Sequence, residues 1–288
     1  MHRIPSKSKS DNKGPVLIMH GLLGSSADFV MTGPGKALAY VLADGGYDVW
    51  LGNSRGNTYS KNNTFIQTDW SEFWDYSWHD IGTDDLPTMI DYILEETSTE
   101  SIYFIGYPQG TTAFYVMGSE RPEYNQKIKV MISLAPLAFV SNLYCGSMKL
   151  VSIGGDMFKV VTNILGATEF QPPGNVMLGQ VFCNFQAHTR AVCGKFRKFD
   201  FGGENEFEYG SDKVPEYSLE KVTVPIALIY SPNDCMSAVK DVEKLSENLP
   251  NVIMKYQVPR KFTHLDYVYG KEAKKFVYEK IIEILSKY

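Results

Sequence analysis

The chain has 288 residues, 44% of them hydrophobic and 21% charged, which suits one globular domain with room for an insertion. A net charge of −5 offers no basic footprint for nucleic acid, and four cysteines are too few to hold a chain of this size as a disulfide scaffold. The longest apolar run, near Val130–Val140, is broken by Ser133 and Pro136 and is too short to span a bilayer.

The first residues, Met1 to Ser8, include basic side chains but no apolar stretch behind them, so no signal peptide is visible; if Met1 is the true start, the expected compartment is the cytosol. Pro15–Met19 reads as a buried strand running into His20-Gly21, and Tyr47–Leu51 as a second, ending at Gly52-Asn53-Ser54-Arg55-Gly56. Leu86, Met89, Ile90, Ile93 and Leu94 recur on one helical face behind Asp84 and Asp85, with Pro87 tolerated in the first turn. Ser101–Ile105 is a third strand, stopping at Gly106, and a helix over about Thr111–Ser119 follows Gly110. Lys129–Leu134 is a fourth strand, ending at Ala135-Pro136.

Ser141–Asp212 then breaks the alternation with Gly154-Gly155, Pro172-Pro173-Gly174 and Gly202-Gly203, scattered aromatics and weak periodicity. This stretch reads as an insertion over the carboxyl edge of the sheet, leaving 1–140 and 213–288 as the core. Val224–Tyr230 resumes the strands and ends at Ser231-Pro232. Val239, Val242, Leu245 and Leu249 form a helix closed by Pro250, and Val252–Tyr256 closes the sheet. Ala273, Phe276, Val277, Ile281, Ile284 and Leu285 make the last amphipathic helix. The alternation predicts an α/β fold, a mostly parallel sheet with helices on both faces and its site at the strand carboxyl ends.

The chemistry concentrates at Gly106-Tyr107-Pro108-Gln109-Gly110, between a strand and a helix. The two glycines have the spacing of a nucleophile elbow, Gly-x-Ser-x-Gly, where strand and helix backbones pass very close, but the central residue is proline. Asp234 follows one strand and His264 the last, so 108, 234 and 264 run in the order nucleophile, acid, histidine. In that arrangement His264 takes the nucleophile's proton and Asp234 fixes the imidazole tautomer. Gln109, one residue past the elbow, is the expected oxyanion donor, and the loop His20-Gly21-Leu22-Leu23-Gly24 lies where a second donor is expected. His20 reads as a structural residue shaping that loop. Without chain order and context, Asp234 reads more readily as an N-cap or turn aspartate and His264 as a satisfied loop histidine. His79-Asp80 and His264-x-Asp266 lack a third ligand at useful spacing, so no metal site is expected. Cys145 and Cys235 read as unpaired, and Asn62-Asn63-Thr64 is a glycosylation acceptor sequence centred on Asn62. Trp70, Phe73, Trp74 and Trp78 read as core and loop packing rather than a membrane wedge.

These segments together resemble the acid lipase family of α/β-hydrolases, which includes gastric and lysosomal acid lipases and many insect members. The resemblance rests on His20 to Asp28, Gly52 to Ser60, Phe73-Trp74-Asp75-Tyr76-Ser77-Trp78-His79, Ile105 to Thr112, Ser119-Glu120-Arg121-Pro122-Glu123-Tyr124 and His264-Leu265-Asp266-Tyr267, and runs over nearly the whole chain. It implies hydrolysis of acylglycerols or sterol esters at a lipid–water interface, secretion or lysosomal residence, a cap over the site and no cofactor. By motif position it places the nucleophile on Pro108, the acid on Asp234, the base on His264 and the oxyanion donors on Leu22 and Gln109. It also likens Cys183 and Cys193 to the family's cap disulfide.

Three departures follow from the same comparison. The family's elbow reads Gly-His-Ser-Gln-Gly, whereas Tyr107 and Pro108 stand here; proline has no nucleophilic atom and its ring locks φ near −65°. The leader and first strand or hairpin of the family have no counterpart before Met1, and the cap between 141 and 212 is shortened. The chain is therefore expected to be catalytically impaired. The alternatives are an active lipase in which the lost hydroxyl is compensated, and a non-catalytic lipid-binding relative. Thr111 and Thr112 lie in the helix after the elbow and are expected to point elsewhere.

Overall fold

A computed structural model of the protein describes residues 1–7, 12–68, 70–74, 76–145 and 194–288. These form a seven-stranded sheet of order β1-β3-β2-β4-β5-β6-β7, with β1 (His2–Ile4), β2 (Pro15–Met19), β3 (Asp48–Leu51), β4 (Ile102–Gly106), β5 (Ile128–Leu134), β6 (Ile226–Tyr230) and β7 (Val252–Gln257). Every pairing is parallel except β1 on β3. All six strands expected from the apolar runs are present; β1 is an addition. It is three residues long and carries no apolar run to announce it. Its Arg3 is held by a fork of two hydrogen bonds, at 2.9 and 2.8 Å, to the buried carboxylate of Asp48.

The strands alternate between two apolar layers. Val16, Ile18, Tyr103, Ile105, Val130, Ile132, Ala227 and Ile229 face one side of the sheet. Leu17, Met19, Ile102, Phe104, Met131, Ile226 and Leu228 face the other. Burial on both faces is why these strands read as continuous apolar runs rather than as alternating patterns. On the first face lie α1 (Leu38–Asp44) and α6 (Glu279–Leu285), contributing Leu38, Leu42, Ile281 and Leu285. On the second lie α2 (Leu86–Thr97), α3 (Gln109–Glu120) and α4 (Val239–Asn248), contributing Ile90, Ile93, Phe114, Val242 and Leu245. A short helix, α5 (Asp266–Tyr269), follows β7.

The four helices expected from periodicity are present, the last entered through a wide turn over Lys274–Tyr278. Helix α1 was not anticipated. Of the insertion, residues 141–145 and 194–212 are described; the second stretch contains a short helix, Asn205–Tyr209, and an isolated antiparallel bridge from Arg197 to Glu216. Cys183 and Cys193 lie outside the described residues. No helix among the described residues is long and apolar enough to cross a membrane.

Candidate active site

The carboxyl ends of β2, β4, β6 and β7 bring the expected residues to one edge of the sheet. Between β4 and α3 the backbones pass so close that only glycine fits. A Cβ at Gly106 would stand 2.8 Å from the Gly110 carbonyl carbon, and one at Gly110 would stand 2.7 Å from the Met19 carbonyl oxygen. The Gly110 N–H donates to the His20 and Tyr107 carbonyls, tying the elbow to the end of β2.

Pro108 occupies the elbow's central position as the residue capping α3, with φ −61° and ψ −37°. These are ordinary right-handed helical angles. The nucleophile of such an elbow sits in a strained region, whereas the non-glycine residues with positive φ described here are Leu23, Ser98 and Ala135. At position 108 the chain therefore has unstrained backbone and a side chain without a hydroxyl. Its ring is pressed against the loop after β2, where a Cβ on Gly21 would lie 2.8 Å from Pro108 Cδ. Leu22 and Gln109 flank this contact, Leu22 in the turn after Gly21 and Gln109 as the first residue of α3.

His264 and Asp234 meet across 30 residues of sequence. Imidazole Nδ1 stands 3.0 and 2.9 Å from the two Asp234 carboxylate oxygens. Asp234 is fully buried, and its Oδ1 also accepts the Met236 and Ser237 N–H groups, so the carboxylate is satisfied without water. Among the described residues, the hydrogen bonds made by the His264 ring are both at Nδ1, which leaves Nε2 as its second working nitrogen. Tyr107 packs on this histidine: its hydroxyl donates to the His264 carbonyl at 2.5 Å, and the two rings stack with centroids 5.3 Å apart.

Nearby hydroxyls are engaged elsewhere. Thr111 Oγ1 donates to the Pro108 carbonyl at 2.5 Å and accepts the Leu137 N–H, and Thr112 Oγ1 donates to the Leu137 carbonyl. His20 is buried, with Nδ1 2.7 Å from the Gly21 carbonyl and Nε2 accepting the Ser54 N–H at 3.1 Å. Nδ1 therefore carries the proton and donates to that carbonyl. Burial pushes its pKa down, so the ring is a neutral brace between the loops after β2 and β3.

The cysteines require a correction. Cys145 and Cys235, expected to be unpaired, form a disulfide with a Cα separation of 4.9 Å across 90 residues of sequence. Cys145 follows β5 and Cys235 follows β6. These strands are neighbours in the sheet, so the loops leaving their carboxyl ends emerge side by side. The bond fastens the start of the insertion to the residue next to Asp234, and the Tyr144 N–H reinforces it by donating to the Cys235 carbonyl. Spacing along the chain holds no trace of that adjacency; the strand order does. The part played by Tyr107 was missed as well, since nothing in sequence links position 107 to 264.

Asn62 is exposed, at the rim of a cleft of about 420 Å³ that also contains Arg55, Glu72 and Tyr76, away from His264.

Comparison with known proteins points one way. A family described as having the alpha/beta hydrolase fold matches residues 14–155. Lipase 3 of Drosophila melanogaster is 38% identical over 342 aligned positions, spanning 100% of this chain and 86% of the relative. Human lysosomal acid lipase/cholesteryl ester hydrolase is 30% identical, spanning 100% of this chain and 84% of its own. Among solved structures, a Pyrococcus furiosus esterase superposes with a TM-score of 0.56 at 15% identity, covering 96% of this chain and 82% of that one, which supports the fold alone. The 342 aligned positions exceed the 288 residues present, so the Drosophila relative carries internal segments that this chain lacks.

Proposed function

Because the chain belongs to the acid lipase family of α/β-hydrolases, we propose that it is a lipid-ester hydrolase scaffold disabled at its nucleophile position, Pro108, with acid and base retained. The observation that carries this reading is the elbow itself. Between two glycines whose Cβ positions are forbidden stands a residue with no hydroxyl, in helical rather than strained backbone. The substrate class belonging to this scaffold is the acylglycerol or sterol ester, as the names of relatives such as gastric triacylglycerol lipase and cholesteryl ester hydrolase suggest.

In the intact reaction a hydroxyl at position 108 gives its proton to His264 Nε2 as its oxygen attacks the ester carbonyl. Asp234 holds the imidazole through Nδ1 and steadies the imidazolium that forms. The Leu22 and Gln109 N–H groups are the donors proposed to receive the developing oxyanion. Pro108 removes the first event and leaves the others without a purpose; loss of a catalytic serine has cost on the order of 10⁶ in rate elsewhere. Thr111 and Thr112 do not replace it, because both hydroxyls are committed to backbone carbonyls.

Residues 141–212, of which 146–193 lie outside the described residues, are proposed to correspond to the family's cap in shortened form. The Cys145–Cys235 bond favours an oxidising compartment, in line with a secreted or lysosomal protein, and exposed Asn62 is then a glycan acceptor. A fluorophosphonate probe, which bonds covalently to activated serine hydroxyls, tests the reading. Intact-mass analysis is expected to find no adduct on the chain and one adduct on Pro108→Ser. A stoichiometric adduct on the unaltered chain would overturn the proposal.

A further inference from the structure

In a complete triad the imidazole is anchored from both nitrogens, by the acid at Nδ1 and by the nucleophile at Nε2. Here the second anchor cannot form, yet His264 is still held against Asp234 at 2.9 Å. What holds it is aromatic. Tyr107 is buried, and its ring lies over the imidazole at an interplanar angle of 26°. The Tyr107 ring also packs at a tilt on Tyr267 with centroids 6.3 Å apart, and Tyr267 in turn meets Phe262 edge-on at 5.9 Å. Residues 262 and 267 bracket position 264 in sequence, so Tyr107 grips the loop from within. Its hydroxyl closes the grip on the His264 carbonyl at 2.5 Å. The turn is braced separately, the Thr263 N–H and hydroxyl both donating to Asp266 Oδ2 at 2.6 Å.

We propose that Tyr107 is the positioning residue for His264, taking over through ring stacking and the bond to the His264 carbonyl the anchoring that a nucleophile's hydrogen bond would supply. This rests on the reading of Pro108 as the nucleophile position. It makes the Tyr107-Pro108 pair a coupled change: one residue removes the reagent and its neighbour keeps the base aligned. Burial, aided by the charge of Asp234, drives the Tyr107 phenol far above its ordinary pKa, so the hydroxyl stays a donor.

The test is proton NMR of the unaltered chain, Tyr107→Phe and Tyr107→Leu, with circular dichroism to verify folding. The proton on His264 Nδ1, shared with Asp234, is expected as a downfield resonance that disappears in Asp234→Asn. In Tyr107→Phe the stack survives and the hydroxyl bond is lost, so that proton should exchange with water at least about fivefold faster, the size of one buried hydrogen bond. In Tyr107→Leu, which also loses the stack, the resonance should broaden away. An unchanged shift and exchange rate in folded Tyr107→Phe and Tyr107→Leu overturns the proposal. The elbow reading is judged separately, by whether Pro108→Ser hydrolyses esters. Silence there with a Tyr107-dependent resonance leaves the clamp standing and removes the elbow reading. Activity there with a Tyr107-independent resonance does the reverse.

Discussion

At Pro108 the pyrrolidine ring holds φ at −61° while its Cδ rests against Gly21, so the residue acts on the backbone and on the loop after β2 together. A serine placed there has a hydroxyl and the freedom to regain the strained turn, because both flanking glycines remain. Pro108→Ala restores the freedom without the hydroxyl and should stay inactive toward a chromogenic ester, which separates the two losses. His20 makes a different prediction. It bridges Gly21 and Ser54, and Asn57 Nδ2 also lies 3.0 Å from its Nε2. His20→Ala leaves the buried Ser54 N–H without that acceptor and should lower stability in urea titration by about 1–3 kcal/mol.

At the scale of elements, the disulfide joins two loops that adjacent strands deliver to one place. Removing a native cross-link typically costs about 2–4 kcal/mol. Cys145→Ser should therefore melt several degrees lower in a thermal scan, and a thiol reductant should lower the midpoint of the unaltered chain by more than that of the variant. The strands were legible in the sequence because burial on both faces makes each a compact apolar run. The elbow was legible because two glycines at fixed spacing answer to one steric demand. Asp234 and His264 were legible only as positions in an order; that they meet depends on β6 and β7 lying side by side. The Cys145–Cys235 pairing comes from the same kind of adjacency, whereas Tyr107 and His264 follow β4 and β7, which β5 and β6 separate, and meet only because the loops converge; no local pattern encodes either contact. Strand β1 was missed because three residues with an ion pair at their centre carry no hydrophobic signal.

Across the whole molecule, two histidines tie stability to pH. Burial lowers the pKa of His20, and burial followed by the charge of Lys198 lowers that of His79, each from an ordinary value of 6.5. The unfolded chain therefore binds more protons than the folded one below that value. Their contribution is complete above pH 6.5 and is lost as the pH falls through the depressed folded values. Melting temperature should decline from neutral pH toward pH 5, and His79→Gln should flatten the slope. On the proposed reading, acid, base and oxyanion loop gather at one edge of the sheet around Pro108, a residue unable to react. Hydrolysis of a short-chain chromogenic ester by the chain, beside Pro108→Ser, tests that account most directly. It predicts no turnover above background for the chain and clear turnover for the variant, abolished again by adding His264→Ala. Turnover by the unaltered chain that persists in Pro108→Ala would contradict it, since the nucleophile would then lie elsewhere.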